Sequence, residues 1–100
     1  MTTKAAIARR RIKQLRRIGV PQSWRRIIAK AQKWKCYYCG DQMHKKQRSD
    51  NDPKVVTLDH KTPLAQGGDN RKTNLVAACR GCNLDKGNMD EQTFLEVIAE

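Results

Sequence analysis

Four cysteines in two closely spaced pairs are the residues of this sequence with the clearest chemical potential. Cys36 and Cys39 form one C-x2-C pair, and Cys79 and Cys82 form the other. Each pair can make a tight turn that directs two sulfurs at one ion, and two such turns complete the tetrahedral shell of structural Zn²⁺. We therefore predict one structural zinc ion; disulfides or four unrelated thiols are the alternatives, and two pairs disfavour a redox C-x-x-C motif. His44 is expected to be solvated, because four thiolates already fill the shell.

A second group of polar residues lies between the cysteine pairs and just after them: Asp59, His60, Asn74 and Asn83. Taken singly, each has an ordinary structural role: a turn cap for Asp59, a surface position for His60 and a loop position for Asn74. Asn83 is a natural N-cap for the helix predicted after the second cysteine pair. The combination is more informative than any member of it.

The segments that must position these residues predict the order strand, loop, strand, helix. The first strand is apolar and β-branched and ends at Asp59 and His60, whereas Pro63, Gly67 and Gly68 interrupt the loop that follows. The four segments are residues 55–58, 61–73, 75–78 and 83–87. Gly87 is expected to weaken or end the last of them.

Three further helices are predicted outside this central region. Residues 3–18 are helical but only loosely amphipathic, and residues 23–34 begin with Ser23 as a cap and carry one apolar stripe. That stripe consists of Trp24, Ile27, Ile28, Ala31 and Trp34, and its tryptophans are expected to pack rather than to stack on bases. A C-terminal helix capped by Asp90 is expected to bury Phe94, Leu95, Val97 and Ile98.

Basic residues are concentrated in the first third of the chain. Residues 1–35 contain twelve lysines and arginines and no acidic residue, whereas residues 36–100 contain nine basic and ten acidic residues. This asymmetry predicts a basic helical arm (1–35) on a core (36–100) within one compact domain. It favours a polyanionic partner over a merely solvated helix face, because each neutralised phosphate releases counterions. The predicted nucleic-acid-binding residues are Arg9, Arg10, Arg11, Arg16, Arg17, Arg25, Arg26 and Lys30.

The length and the apolar content of the chain restrict the class of protein to which it can belong. One hundred residues with 38% hydrophobic side chains build a small core that benefits from a bound metal. The sequence contains no run of 18 apolar residues, and its basic N-terminus lacks the apolar centre of a signal peptide. We therefore expect no membrane partner and a cytoplasmic location.

The polar residues and the cysteines together resemble the HNH endonuclease signature, in its zinc-binding branch with four cysteines. The resemblance covers residues 36–88 and departs from the pattern at Asn83, where the family often has histidine; this is the HNN variant. The residues that carry it are Leu58, Asp59, His60, Pro63, Leu64, Gly67, Gly68, Asn74, Leu75, Cys79, Cys82, Asn83, Lys86 and Gly87.

This resemblance implies an α+β fold with a ββα-metal (HNH, or His-Me finger) core, and DNA as the substrate of phosphodiester hydrolysis. By the family pattern Asp59 and Asn83 bind the catalytic cation, His60 is the general base, and Asn74 ties down the loop between the strands. Two oxygen ligands leave room for water and phosphate, which suits Mg²⁺ or Mn²⁺ better than zinc. Histidine titrates near neutral pH and can accept a proton from water.

Several alternatives stay open on the sequence. A non-catalytic zinc-bound DNA-binding module with a vestigial HNH centre would share the composition and the cysteines, but would not need the intact polar set. A protein-interaction domain does not explain the acid-free arm, and RNA is disfavoured only by the family. Compact proteins of this family occur in phages, restriction systems and mobile introns; the resemblance favours a phage origin, and makes other phage or restriction proteins candidate partners. The oligomeric state is left open.

Overall fold

The computed structural model describes residues 20–99, which form an α+β fold around one antiparallel pair of strands. The elements are helix α1 (Ser23–Ala31), strand β1 (Val56–His60), strand β2 (Leu75–Cys79), helix α2 (Arg80–Lys86) and helix α3 (Glu91–Ala99), with 3-10 turns at Leu64–Gln66 and Lys72–Asn74. The predicted order of strand, loop, strand and helix is confirmed, as is the fold class. The helix predicted over residues 3–18 lies outside the described residues. Among residues 20–99, no helix is long and apolar enough to cross a membrane.

The two strands form the centre of the fold. Val56 lies opposite Cys79 at one end of the pair, and His60 lies opposite Leu75 at the other. All five residues of β2 are buried, whereas β1 buries only Val56 and Asp59. An uninterrupted apolar run is typical of a strand that is covered on both faces, and β2 is such a strand.

The outer edge of β2 is paired with a side chain rather than with a third strand. The Gln32 amide donates through Nε2 to the Ala77 carbonyl oxygen at 2.9 Å, and its Oε1 accepts from the Ala77 N–H at 2.9 Å. The Tyr37 N–H also donates to the Ala77 carbonyl oxygen, at 3.0 Å. Both backbone groups of a buried strand residue are thereby satisfied.

Helix α1 is shorter than predicted, and its buried face differs from the predicted stripe. It ends at Ala31, and Lys33 and Trp34 then adopt positive φ angles of 57° and 61°, so the chain turns at the residues that follow Gln32. The cap prediction was wrong, because Gln22 occupies the N-cap position without a side-chain hydrogen bond. Ala29 is fully buried against the sheet, where a small side chain lets the helix approach closely, whereas Ile27 is 50% exposed.

Helix α2 begins earlier than predicted, and its start makes the N-cap prediction for Asn83 wrong. The helix starts at Arg80, so Asn83 lies inside it. The first free N–H groups of the helix find partners in the loop before β1, because Arg80 N–H donates to the Val55 carbonyl oxygen and Gly81 N–H to that of Pro53. Gly87, with a φ of 53°, ends the helix as predicted.

Helix α3 is capped as predicted but buries fewer apolar side chains than predicted. The Asp90 carboxylate accepts a hydrogen bond from the Thr93 N–H at 2.8 Å, and Phe94 is only 1% exposed. Leu95, Val97 and Ile98 are exposed by 37%, 50% and 44%, contrary to the predicted buried side. The helix therefore contacts the body of the protein chiefly through Phe94.

Candidate active site and metal centre

The four cysteine sulfurs form one cluster. Their Sγ atoms all lie within 4.8 Å of one another, and those of Cys39 and Cys79 are 3.9 Å apart. Four thiolates around one tetrahedral zinc ion would have their sulfurs about 3.8 Å apart, given Zn–S bonds of about 2.3 Å. A disulfide needs about 2.05 Å, and all four thiols are free. The cluster can therefore hold one metal ion.

The backbone around the cluster stabilises negative charge on sulfur. The Tyr38 and Cys79 N–H groups donate to the Cys36 Sγ at 3.4 and 3.3 Å. Burial would raise the pKa of the Cys36 thiol, but hydrogen bonds from neighbouring backbone N–H groups outweigh it and lower that pKa. Burial raises the pKa of the Cys79 and Cys82 thiols. A bound cation must displace these protons, so metal affinity falls at acid pH.

His44 lies apart from the cysteine cluster and has its own partner. Its Nδ1 is 2.8 Å from the Asp52 carboxylate, and Asp52 is only 3% exposed. The hydrogen bond from His44, with those from backbone N–H groups, lowers the pKa of Asp52 to about 2. His44 is therefore paired rather than solvated, and it fixes the loop that leads into β1.

Three of the residues predicted to be catalytic come together at the end of β1. Asp59, His60 and Asn83 line one open cavity of about 280 Å³, together with the buried side chain of Lys86. Asp59 and His60 are the last residues of β1, and Asn83 projects from α2. Asn83 and Lys86 are three residues apart and share one face of that helix, so one helix face and one strand end build the cavity.

The Asp59 carboxylate is held by two buried neighbours. The Lys86 ammonium lies 3.2 Å from Oδ2 and 3.4 Å from Oδ1, and the Tyr38 hydroxyl donates to Oδ2 at 2.5 Å. Burial, followed by this hydrogen bond, strongly raises the pKa of Tyr38, so the hydroxyl keeps its proton. Lys86 also donates to the His60 carbonyl oxygen at 2.9 Å. A buried carboxylate requires such partners, and they fix where Asp59 points.

The His60 ring is oriented by a residue of the loop between the strands. Its Nε2 lies 2.8 Å from the Asn70 Oδ1. An amide oxygen accepts hydrogen bonds and cannot donate them, so Nε2 is the donor, and in the neutral ring the lone pair is on Nδ1. The ring is half-buried, and its tautomer is thus set by a neighbour.

The Asn83 amide has both of its hydrogens engaged. Nδ2 donates to the Thr57 Oγ1 at 2.9 Å and to the Leu58 carbonyl oxygen at 3.2 Å. These two bonds tie α2 to β1 and assign the amide orientation. The side chain therefore offers its oxygen, a hard ligand atom, to a cation.

Asn74 lies in the loop and not at the cavity. Its Oδ1 accepts from the Thr62 N–H at 2.9 Å, and its Nδ2 donates to the carbonyl oxygens of Thr62 and Asp69 at 3.0 and 2.8 Å. Gly68 packs so closely here that an added Cβ would lie 1.8 Å from the Thr62 carbonyl oxygen. Asn74 thus cross-links the start and the end of the loop that carries Asn70.

The predicted nucleic-acid-binding residues fall into two groups. Arg25, Arg26 and Lys30 are exposed on α1. The other five, Arg9, Arg10, Arg11, Arg16 and Arg17, lie outside the described residues. Lys72 adds charge near α1, with its ammonium 5.0 Å from the centre of the Trp24 ring.

Sequence reasoning gave no site role to three side chains that contact the predicted site: Tyr38, Asn70 and Lys86, of which only Lys86 is among the motif residues. The position of Lys86, three residues after Asn83 on a predicted helix, was the available signal for its face. Nothing comparable marked Tyr38 or Asn70, because their partners are 21 and 10 residues away in the chain.

A family comparison and a search of curated proteins complete the description of the site. The search of curated proteins found no match. Residues 36–89 match the HNH endonuclease family, a stretch of more than half of the chain that includes the four cysteines, both strands and every residue of the cavity. The chain therefore belongs to the HNH endonuclease family.

Proposed function

We propose that this protein is a metal-dependent DNA endonuclease that hydrolyses phosphodiester bonds. The observation that carries the proposal is the cavity at the end of β1, which Asp59, His60 and Asn83 line together. The family supports DNA as the substrate and the reaction class. The exposed basic residues of α1, Arg25, Arg26 and Lys30, support a polyanionic substrate.

Asp59 and Asn83 are the residues that would hold the catalytic ion. The Asn83 amide offers an oxygen, and Oδ1 of Asp59 has, among residues 20–99, only the longer contact to Lys86. Two hard donors with open positions beside them suit Mg²⁺ or Mn²⁺. When bound, such an ion stabilises the charge on the phosphorane and on the departing oxygen. The cysteine cluster is closed by four sulfurs and suits structural Zn²⁺.

His60 is the proposed general base. Its Nδ1 accepts a proton from a water molecule while Asn70 holds Nε2. The resulting hydroxide attacks phosphorus, the P–O3′ bond breaks, and the 3′ oxygen leaves and takes up a proton. The products expected for this family carry 5′-phosphate and 3′-hydroxyl ends. Asn74 has a supporting role here, because it holds the loop that carries Asn70.

The alternative function is a DNA-binding module whose HNH centre no longer reacts. One observation favours it: both oxygens of Asp59 already have a cationic or hydroxyl partner, which would satisfy a purely structural carboxylate. This alternative keeps the basic surface and the cysteine cluster and differs only at the cavity.

Supercoiled plasmid distinguishes the two functions. The purified protein is incubated with plasmid in Mg²⁺, in Mn²⁺ and in EDTA, and nicked and linear forms are quantified. We expect cleavage in either metal and none in EDTA. An Asp59→Ala protein purified in the same way controls for contaminating nucleases. Binding without cleavage in both metals would establish the DNA-binding module instead.

A further inference from the structure

The hydroxyl of Tyr38 lies where the cysteine cluster and the cavity meet. Tyr38 is the residue just before Cys39, so it belongs to the turn that carries the first cysteine pair. Its side chain is 8% exposed, and its hydroxyl donates to the Asp59 Oδ2 at 2.5 Å. The reaction proposed above assigns this tyrosine no task.

The position of the Tyr38 ring is fixed from two directions. Its backbone N–H donates to the Cys36 Sγ, so the turn around the metal site sets the path of the chain at this residue. The ring packs edge-on against Phe94 of α3, with 5.1 Å between the ring centroids. A hydroxyl at the end of a rigid, doubly anchored ring places its hydrogen bond accurately.

The hydrogen bond selects which oxygen of Asp59 is available to a cation. Oδ2 accepts from Tyr38 and lies 3.2 Å from the Lys86 ammonium, whereas the Lys86 contact to Oδ1 is 3.4 Å. Without the hydroxyl, Lys86 alone would hold the carboxylate and could follow its rotation. Partners behind a metal ligand typically contribute about 10–100-fold to metal affinity.

We infer that Tyr38 is a positioning residue through which the cysteine cluster orients Asp59 for binding the catalytic cation. The inference rests on the proposed function in one respect, which is that Asp59 is a ligand of that cation. It adds a direct side-chain link between the two metal sites, by a route separate from α2.

The neighbouring residue Tyr37 provides a matched control. Its side chain is 41% exposed, and its hydroxyl donates to the Glu91 Oε2 at 2.8 Å rather than to Asp59. Tyr37→Phe and Tyr38→Phe each remove one hydroxyl from the same cysteine turn. Both keep the aromatic ring, so the packing of Tyr38 against Phe94 is retained.

The test is a Mn²⁺ titration of the zinc-loaded full chain, followed by the electron paramagnetic resonance signal of free Mn²⁺. Wild type, Tyr37→Phe, Tyr38→Phe and Asp59→Ala are compared, and zinc content and melting midpoint are measured on each. We expect Tyr38→Phe to weaken Mn²⁺ binding by about 10–100-fold. Its zinc content should match that of Tyr37→Phe, which should bind Mn²⁺ like wild type, and it should melt cooperatively at a modestly lower midpoint, because a buried hydrogen bond is lost.

Two outcomes would overturn the inference. One is wild-type Mn²⁺ affinity in Tyr38→Phe. The other is a loss of Mn²⁺ affinity that is accompanied by a loss of zinc or of cooperative melting, because the hydroxyl would then support the fold rather than Asp59. Wild-type Mn²⁺ affinity in Asp59→Ala would instead refute the proposed cation site, and the inference with it.

Discussion

The cysteine cluster and the Asp59 cavity are two polar sites joined by one short helix. They differ in how many of the positions around a bound ion the chain itself can occupy. Cys79 immediately precedes α2 and Cys82 lies in its first turn, whereas Asn83 and Lys86 line the cavity from its second half. The cluster offers four sulfurs from the chain and is closed. The cavity is open, and the chain provides only two oxygen donors that are proposed to bind a cation there. A closed shell contributes its binding energy to folding, whereas an open one keeps positions for reactants.

The largest expected effect is the loss of folding when a cysteine of the cluster is replaced. Cys79→Ser replaces a residue that is 1% exposed and removes one sulfur of the cluster. Structural zinc can contribute about 10 kcal/mol or more to folding in small domains, so we expect the variant to be unfolded and free of zinc. Circular dichroism melting and elemental analysis measure this. Zinc-free wild type that melts cooperatively at its usual temperature would show that the cluster does not stabilise the fold.

The next effect concerns the open site and should leave the fold intact. His60→Ala removes the proposed base from a half-buried position and should lower the cleavage rate by about 10²–10⁴-fold. The melting curve and the zinc content should be unchanged, in contrast to Cys79→Ser. Plasmid nicking under single-turnover conditions measures the rate. A rate near that of wild type would remove His60 from the mechanism.

Asn83 lines the cavity and also ties α2 to β1 through its hydrogen bonds. Its variants should therefore change both stability and cation affinity. Asn83→Ala leaves the Thr57 hydroxyl and the Leu58 carbonyl oxygen without their donor, which costs about 1–3 kcal/mol. It also removes the oxygen that is proposed to bind the cation. Asn83→Asp keeps an oxygen ligand but turns a carboxylate toward the Leu58 carbonyl oxygen. We expect Asn83→Asp to lose stability and to retain more Mn²⁺ affinity than Asn83→Ala. Chemical denaturation and Mn²⁺ titration separate the two quantities, and equal Mn²⁺ affinities would mean that Asn83 is only structural.

The smallest expected effect is on DNA affinity, and it concerns basic residues of α1 that lie outside both sites. Replacing Arg25, Arg26 and Lys30 with glutamine should weaken DNA binding without changing cleavage at saturating enzyme. The slope of log affinity against log salt should become shallower by roughly 0.9 for each phosphate of duplex DNA that the variant no longer neutralises. Fluorescence anisotropy across a salt series measures it. An unchanged slope would mean that this face of α1 does not touch the phosphates.

The two sites were predictable from the sequence to different degrees, because they depend on contacts of different range. The cysteine pairs are local motifs, and their spacing alone predicts that four sulfurs meet. The residues at the cavity could be identified individually, but the network around Asp59 depends on Tyr38 and Lys86, which tertiary packing brings to it. Lysine is rarely buried without a charged partner; the spacing from Asn83 predicts which helix face Lys86 shares, but not that its side chain is buried beside Asp59.

The elements themselves were predictable, whereas their ends and buried faces were not. Both strands and the Asp90 cap agree with their local patterns. The start of α2 could not be predicted, because carbonyl oxygens of the preceding loop satisfy its first N–H groups and no capping side chain marks the position. Ile27 is exposed and Ala29 is buried because of how closely α1 approaches β2. Helical periodicity gives no information about that distance.

The side-chain pairing at Ala77 also bears on whether another strand can pair with β2. A two-stranded sheet has two outer edges, and an unpaired strand edge is a template on which another chain can add a strand. Gln32 occupies both backbone groups of Ala77 in the middle of β2 and so blocks that template with a single amide. β2 is apolar along its whole length, the composition that aggregates most readily when its edge is free. The turn after α1 therefore covers the middle of the β2 edge, the place where another strand would have to pair.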